Sequence, residues 1–135
     1  MKRKVIPIET ILWRRKRPKN IHQSSMGVAI THIHGEEMNI ILRERCCQFP
    51  GCTVTLTHFE LQNGVKKSKL TAYGIDKFGS RDMLTIDHKI AQCLGGKDDK
   101  DNKWTMCSQH NALKSKAEGW LNDVINRRKT VEIAL

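Results

Sequence analysis

Short apolar stretches of the kind that form β-strands recur between Gly27 and Ile90, and a helical pattern follows near the end of the chain. From Gly27 to Arg43, the stretches GVAITHI and MNIILRE are rich in β-branched residues and predict two strands. Farther along, TVTLTHFEL, LTAYGID and DMLTIDHKI predict three more, with a hairpin signal at Asn63-Gly64. In the last of these strands Leu84 and Ile86 fall on one face.

The helical pattern begins at Ser108. Apolar residues recur there every three or four positions, and we expect this stripe to pack on the domain. The stripe consists of Leu113, Ala117, Trp120, Leu121 and Val124. Gly119 lies within the stripe and is expected to weaken or split the helix near its middle.

The length of 135 residues suits one domain with flanking extensions. We expect a basic arm over 1–26, a single domain over 27–128 and a tail over 129–135. The predicted class is α+β, with a β-rich N-terminal extension and a C-terminal helix. Apolar residues make up 39%, so the core is expected to be small and to need a staple.

Charge adds a prediction about partners. Lysine and arginine outnumber aspartate and glutamate by 24 to 14, and an excess of this size favours a polyanion. We expect duplex DNA, with RNA as an open alternative and a passive basic surface as another. The runs WRRKRPK and NRRK would contact the phosphate backbone. No apolar run approaches the roughly 18 residues of a membrane span, and no secretory signal is recognisable, so we expect a cytoplasmic protein without a membrane partner.

In a reducing compartment, cysteines bind metal more often than they form disulfides. Cys47 and Cys52 flank a Pro-Gly turn, and Cys107 and His110 stand one helical turn apart at a predicted helix start. Structural Zn²⁺ takes four tetrahedral sulfur or nitrogen ligands, commonly as two close pairs. The sequence therefore predicts a zinc staple of the Cys₃His type.

Two cysteines lie outside this predicted set. Cys46 is adjacent to Cys47 and could replace it as a ligand. Cys93 has no close partner and is expected to be a small buried residue. The alternative for all five cysteines is that they are core thiols.

Residues 46–118 carry an ordered set of polar and glycine positions that resembles the HNH nuclease family, whose catalytic unit is a ββα-metal fold. In that family an Asp-His pair ends the first strand of a β-ribbon, a glycine-containing loop and an asparagine follow, and a second strand leads to paired zinc ligands and a lysine. The matching residues are Asp87, His88, Gly95, Gly96, Asn102, Cys107, His110, Asn111 and Lys114.

The resemblance implies a DNA endonuclease with a divalent cation. His88 is the expected general base, because imidazole exchanges protons near neutral pH. The resemblance implies Asp87 and Asn111 as ligands of Mg²⁺ or Mn²⁺, to which they would offer oxygen atoms. It also implies that Asn102 braces the loop and orients His88. Lys114 is expected to bind phosphate.

Two features complicate this interpretation. Many members of the family have histidine where this chain has Asn111. An amide oxygen in place of a ring nitrogen favours Mg²⁺ over softer ions. The change also leaves open a second hypothesis, an inactive zinc-stapled module that only binds nucleic acid. A structural zinc protein that contacts protein or RNA is a third hypothesis. In addition, Asp87 and His88 are adjacent, and adjacent strand residues point to opposite faces, so the strand must kink or end there. Small free-standing nucleases of this type resemble those of phages and mobile elements.

Overall fold

The computed structural model describes residues 3–17, 33–63 and 68–134, which form a five-stranded antiparallel sheet with three helices. The strands are β1 (Arg3–Pro7), β2 (Thr55–Asn63), β3 (Ser68–Ile75), β4 (Arg81–His88) and β5 (Lys103–Cys107). The helices are α1 (Ile8–Arg15), α2 (Glu36–Glu44) and α3 (Ser108–Ala134). The strands lie side by side in chain order. The predicted α+β class is confirmed.

The core contains apolar side chains from the sheet and from α1 and α2. Phe59 is 1% exposed and Leu61 is 2% exposed, and both come from β2. The other members of this cluster include Ile6, Ile11, Ile33, Met38, Ile41, Ala72, Leu84 and Met106. Burial of apolar side chains such as these is the main stabilising term for so small a domain.

The N-terminal stretch, which we expected to form a basic arm, contributes a strand and a helix to this unit. Residues 3–7 pair with β2, and Ile6 stands opposite Phe59. The Arg15 guanidinium donates hydrogen bonds to the Ile33 carbonyl oxygen and to Asn39 Oδ1, which joins α1 to the segment before α2 and to α2 itself. Residues 18–26 lie outside the described part of the chain.

The strand prediction for MNIILRE is wrong, because Glu36–Glu44 is helical. The adjacent β-branched pair, Ile40 and Ile41, suggested a strand. However, Met38 and Ile41 are three residues apart and are both buried, which is the spacing of one helix face. Two acidic residues in the first turn and Arg43 in the last turn also favour a helix through its dipole. The strand predicted over GVAITHI lies outside the described residues except for Ile33.

The three later strand predictions are confirmed as β2, β3 and β4. Leu84 is 3% exposed, and Ile86 packs against the core from the same face of β4. β2 and β3 pair as antiparallel neighbours, with Asn63 opposite Ser68. The residues between them, 64–67, are outside the described ranges, so the hairpin signal at Asn63-Gly64 is not tested at its turn.

Helix α3 differs from its prediction in two ways. It continues through Gly119 without interruption. The apolar stripe does not pack on the domain, since Leu113 is 57% exposed and Trp120 is 68% exposed. The side of α3 that contacts β4 instead carries Asn111 and Lys114. Despite the exposed stripe, no helix within the described ranges is long and apolar enough to cross a membrane.

The start of α3 is capped from β4. The Asp82 carboxylate accepts hydrogen bonds from the Ser108 hydroxyl through Oδ1 and from the Gln109 backbone N–H through Oδ2 at 3.2 Å. Burial opposes ionisation of Asp82, but these bonds outweigh it and lower the pKa of the carboxyl group. A carboxylate at a helix N-terminus satisfies unpaired backbone donors and complements the helix dipole.

We expect Asp82→Ala to lower the free energy of unfolding by about 1–2 kcal/mol, as loss of an N-cap does. The measurement is urea denaturation of the zinc-loaded protein. Asp101→Ala, which removes an exposed carboxylate, is the control and should change little. Because the pKa of Asp82 is lowered, its contribution is lost only as pH falls through that lowered value. The difference should therefore be the same at pH 7 and at pH 5, and a difference that fades in this interval would contradict the cap.

Candidate functional site

Three cysteines and one histidine converge beside the start of α3. The ligand atoms of Cys47, Cys52, Cys107 and His110 all lie within 4.8 Å of one another. Cys107 Sγ is 3.2 Å from His110 Nδ1 and 4.0 Å from Cys52 Sγ, and Cys47 Sγ is 3.9 Å from His110 Nδ1. Tetrahedral zinc with bonds of about 2.3 Å places two sulfur ligands roughly 3.8 Å apart. The cluster can therefore hold a metal ion such as zinc.

A tight turn brings the first two cysteines together. The Cys52 N–H donates to the Phe49 carbonyl oxygen at 3.0 Å, and the intervening Gly51 has φ +83°, which favours glycine. We call residues 47–52 the knuckle. The Gln48 N–H donates to the Thr105 carbonyl oxygen at 2.9 Å, so the knuckle is attached to the open edge of β5.

The second pair of ligands comes from the junction of β5 and α3. Cys107 ends the strand and is 1% exposed, and His110 lies in the first turn of the helix. The His110 ring stacks on Phe49 of the knuckle, with centroids 4.2 Å apart and planes 9° from parallel. This stacking fixes the plane of the imidazole whose Nδ1 faces the sulfur atoms.

The buried thiols of this cluster have raised pKa values, which indicates that the cluster requires a positive charge. Burial raises the pKa of Cys47, and burial together with the neighbouring Cys47 charge raises the pKa of Cys107 to about 12. Two buried thiolates this close are unfavourable without a positive charge between them. A bound divalent cation supplies that charge, and the sulfur-rich donor set suits zinc.

The two remaining cysteines lie outside the cluster. Cys46 is next to Cys47 in sequence, but its sulfur accepts a hydrogen bond from Gln48 Nε2 at 3.3 Å, and Cys47 is the member of the cluster. Cys93 is exposed, so the prediction that it is a buried core residue is wrong. It stands in a short 3₁₀ turn of the loop between β4 and β5.

We expect Cys47→Ser to lower zinc affinity by more than tenfold, since contacts one shell further out are already worth about 10- to 100-fold. The protein should also melt at a lower temperature, because zinc binding is coupled to folding. Competition with a colorimetric chelator measures the affinity.

The matched control is Cys46→Ser, which changes the adjacent residue and should retain zinc. Cys93→Ser is a second control with an exposed thiol. If the Cys46 variant lost zinc and the Cys47 variant kept it, the assignment of ligands would be contradicted.

A second cluster lies between β4 and α3 and includes Asp87, Asn111, Lys114 and Glu118. We call it the oxygen-rich cluster. Asp87 Oδ2 accepts a hydrogen bond from Trp104 Nε1 at 3.2 Å and forms an ion pair with Lys114 Nζ at 3.0 Å. The same ammonium donates to Glu118 at 2.8 Å and to the His88 carbonyl oxygen at 2.7 Å. Burial acts to lower the pKa of Lys114, but the bonds to Glu118 and Asp87 outweigh it and raise the pKa.

These contacts indicate that Lys114 fastens α3 to the end of β4. An ammonium group has three donors, and here all three have oxygen partners. Binding of phosphate by Lys114 stays a prediction. Asn111, one turn earlier on the same side of α3, donates through Nδ2 to Thr85 Oγ1 at 2.8 Å. Thr85 and Asp87 are two residues apart on β4 and share its α3 face.

His88 belongs to a different set of contacts. Its Nε2 lies 2.9 Å from Asp98 Oδ1. Asp98 also contacts Lys103 Nζ at 3.2 Å, and Lys103 donates to Glu36 at 2.7 Å. The hydrogen bond with the His88 ring, together with the Lys103 ammonium, lowers the pKa of the exposed Asp98 carboxyl. With a carboxylate at Nε2, the imidazole proton resides there and Nδ1 is the basic nitrogen.

The pairing of β4 with β5 explains why Asp87 and His88 have separate partners. Asp87 stands opposite Trp104, and His88 stands opposite Lys103. Each residue contacts the group on its own face, as alternation along a regular strand requires. The pairing remains regular through His88, where the strand ends. The structure therefore gathers Asp87, Asn111 and Lys114 at the α3 face and directs the His88 imidazole away from it.

The loop between β4 and β5 is held by Asn102. Its Nδ2 donates to the carbonyl oxygens of Ile90 at 3.0 Å and Lys97 at 2.8 Å, and its Oδ1 accepts from the Ile90 N–H at 3.0 Å. A Cβ at Gly96 would lie 1.8 Å from the Ile90 carbonyl oxygen, so only glycine fits there. Gly95 has φ +94°, which also favours glycine. This is the geometry of a loop brace.

Sequence reasoning missed several residues of these clusters. Asp98 was hidden in the acidic run KDDKD, where nothing distinguishes one carboxylate from the next. Glu118 could have been found, because it lies four residues after Lys114 on a predicted helix. Trp104 carries no pattern of its own, and its contact with Asp87 follows from strand register alone.

Comparisons of the chain with models of protein families, with curated proteins and with solved structures give no match. Function must therefore be inferred from the side chains and elements described above.

Proposed function

We propose that the chain is a metal-dependent endonuclease of the HNH type, which hydrolyses phosphodiester bonds in DNA. The observation that carries this proposal is the arrangement of β4, β5 and α3. They form a β-hairpin followed at once by a helix that contacts β4, and we call these three elements the hairpin–helix unit. Two of the four members of a soft-metal donor set, an oxygen-rich cluster and a histidine with a carboxylate partner all lie on this one unit.

His88 is the proposed general base. It ends β4 and is 28% exposed through its side chain, so a water molecule can reach the ring. Asp98 accepts from Nε2–H, which fixes the tautomer and leaves Nδ1 to receive a proton. The Asn102 brace holds the loop that carries Asp98, and in this way it orients His88 indirectly.

Asp87 and Asn111 would hold Mg²⁺ or Mn²⁺. Both offer oxygen atoms, which hard cations prefer, and they lie on the two elements that face each other, β4 and α3. The cation, when bound, would stabilise the charge that develops on the phosphate and on the leaving oxygen. The Lys114 ammonium beside Asp87 competes for the same carboxylate, so a cation must displace or share Oδ2.

The chemical step assigned to the protein is a proton transfer. A water molecule gives a proton to His88 Nδ1, and its oxygen attacks phosphorus. The bond from phosphorus to the 3′ oxygen breaks, and that oxygen takes a proton from solvent. Proton transfer by a positioned side chain is typically worth about 10²- to 10⁴-fold in rate.

The charge of the chain supports DNA as the substrate. The formal net charge is +10, which favours contact with a polyanion and steers its approach. Near the N-terminus, the Arg14 and Arg17 guanidinium groups lie 5.0 Å and 4.1 Å from the ring centre of Trp13. Such a group of cations around a half-exposed ring is suited to phosphate and base contacts together.

We expect His88→Ala to reduce cleavage of supercoiled plasmid by at least about 10²-fold, because it removes the base. The assay is run with Mg²⁺, with Mn²⁺ and with chelator, and zinc content is measured on each sample. His58→Ala is the matched control, since His58 lies on β2, contacts Glu60 at 3.0 Å and belongs neither to the cysteine cluster nor to the contact of His88 with Asp98.

The zinc content of the His88 variant should equal that of the wild type, because His88 is not a member of the cysteine cluster. Asp98→Asn should lower kcat by less than His88→Ala and leave KM unchanged, and Asp98→Glu should recover part of the rate. Equal cleavage by wild type and His88→Ala would contradict the proposal.

A second candidate is a zinc-stapled nucleic-acid-binding module without catalytic activity. The observation that favours it is the ion pair between Lys114 and Asp87, which already neutralises the carboxylate proposed to hold the cation. This candidate would bind duplex DNA with strong salt dependence and would not cut it at any concentration of Mg²⁺ or Mn²⁺.

A further inference from the structure

The exposed apolar stripe of α3 has the spacing of a helix-pairing surface. Leu113, Ala117, Trp120 and Val124 are separated by four, three and four residues. This is the alternation that places residues on the seam of two paired helices. Trp120 is 68% exposed and Leu113 is 57% exposed, and Ala117 is exposed as well. Contiguous apolar side chains of this kind mark an interaction site.

The charges that flank the stripe indicate what covers it. Lys116 and Asp123 are exposed, carry opposite charges and occupy the same flanking position in successive repeats. When two copies of such a helix pair antiparallel, this position of one copy faces the same position of the other. Lys116 of each copy then meets Asp123 of the other, which gives two ion pairs. The stripe is thus complementary in charge to itself.

The same register also matches side-chain sizes. It places Leu113 of one copy against Val124 of the other, and the small Ala117 against the large Trp120. A parallel pairing would instead set Trp120 against Trp120 and Ala117 against Ala117, which leaves one layer crowded and the other open. It would also bring both sheets to the same end, because α3 contacts β4 and β5 in each copy.

We propose that α3 is a self-association surface, which pairs antiparallel with α3 of a second copy of this chain through residues 113–124. The pairing covers the apolar stripe and places the two hairpin–helix units at opposite ends of the paired helices. A contact of about three helical turns is small, so we expect dissociation in the micromolar range. The inference does not depend on the proposed function, although a dimer would carry two cleavage sites.

The experiment is sedimentation equilibrium of the full-length, zinc-loaded chain over low to high micromolar concentration. The wild type should pass from monomer to dimer, and Trp120→Ala should raise the dissociation constant by at least about tenfold, as loss of a central aromatic anchor does. K116D alone and D123K alone should both weaken association, because each places like charges opposite each other. Circular dichroism checks that every variant is folded.

The charge swap tests the register directly. The double variant K116D/D123K should associate like the wild type, because both ion pairs are restored with reversed sign. A mixture of the K116D and D123K chains should form a heterodimer although neither associates well alone. Arg128→Gln is the control. In a parallel pairing, Arg128 of one copy would lie opposite Asp123 of the other. In the antiparallel pairing, Arg128 lies outside the contact of residues 113–124. A wild type that stays monomeric at all concentrations, a double variant that is not restored, or an Arg128 variant that weakens association would overturn the proposal.

Discussion

The first turn of α3 is the point on which the described structure depends. Within four residues it supplies two members of the metal-ligand cluster, Cys107 immediately before it and His110 within it, and it is capped by Asp82 from β4. Asn111, the residue after His110, and Lys114, one turn later, join it to Thr85 and Asp87. The knuckle, the hairpin and the helix are therefore fixed relative to one another at a single junction, which the small apolar core alone would hold weakly.

Two neighbouring residues of α3 serve different chemistry because of helix geometry. His110 and Asn111 leave the helix about 100° apart, so one faces the sulfur ligands and the other faces β4. On β4 the same separation arises by alternation, and Asp87 and His88 point to opposite faces. The start of α3 can thus contribute to a soft donor set and to an oxygen-rich cluster without sharing ligands. The separation on α3 keeps the two proposed metals apart, whereas the separation on β4 directs the proposed base, His88, away from the proposed cation ligands.

The metal cluster could be predicted from sequence because ligands at turns and helix starts leave a spacing pattern. The periodicity of apolar residues was less informative about what each face of a helix contacts. In α3 it identified the residues that share a face, but the side chains that dock are polar, and the apolar face is left exposed. In α2 the local β-branched pair outweighed the helical spacing of Met38 and Ile41. Contacts such as Asp98 with His88 depend on how a loop closes, which no local pattern specifies.

The most direct test of this account is zinc-edge X-ray absorption on the purified protein, which measures the ligands around the metal at the junction of the knuckle and α3. We expect three sulfur atoms at about 2.3 Å and one nitrogen atom at about 2.0 Å. A variant in which His110 is replaced by alanine should lose the nitrogen contribution, and Cys46→Ser should leave the spectrum unchanged. Four sulfur ligands, or a shell made only of oxygen and nitrogen, would contradict the account.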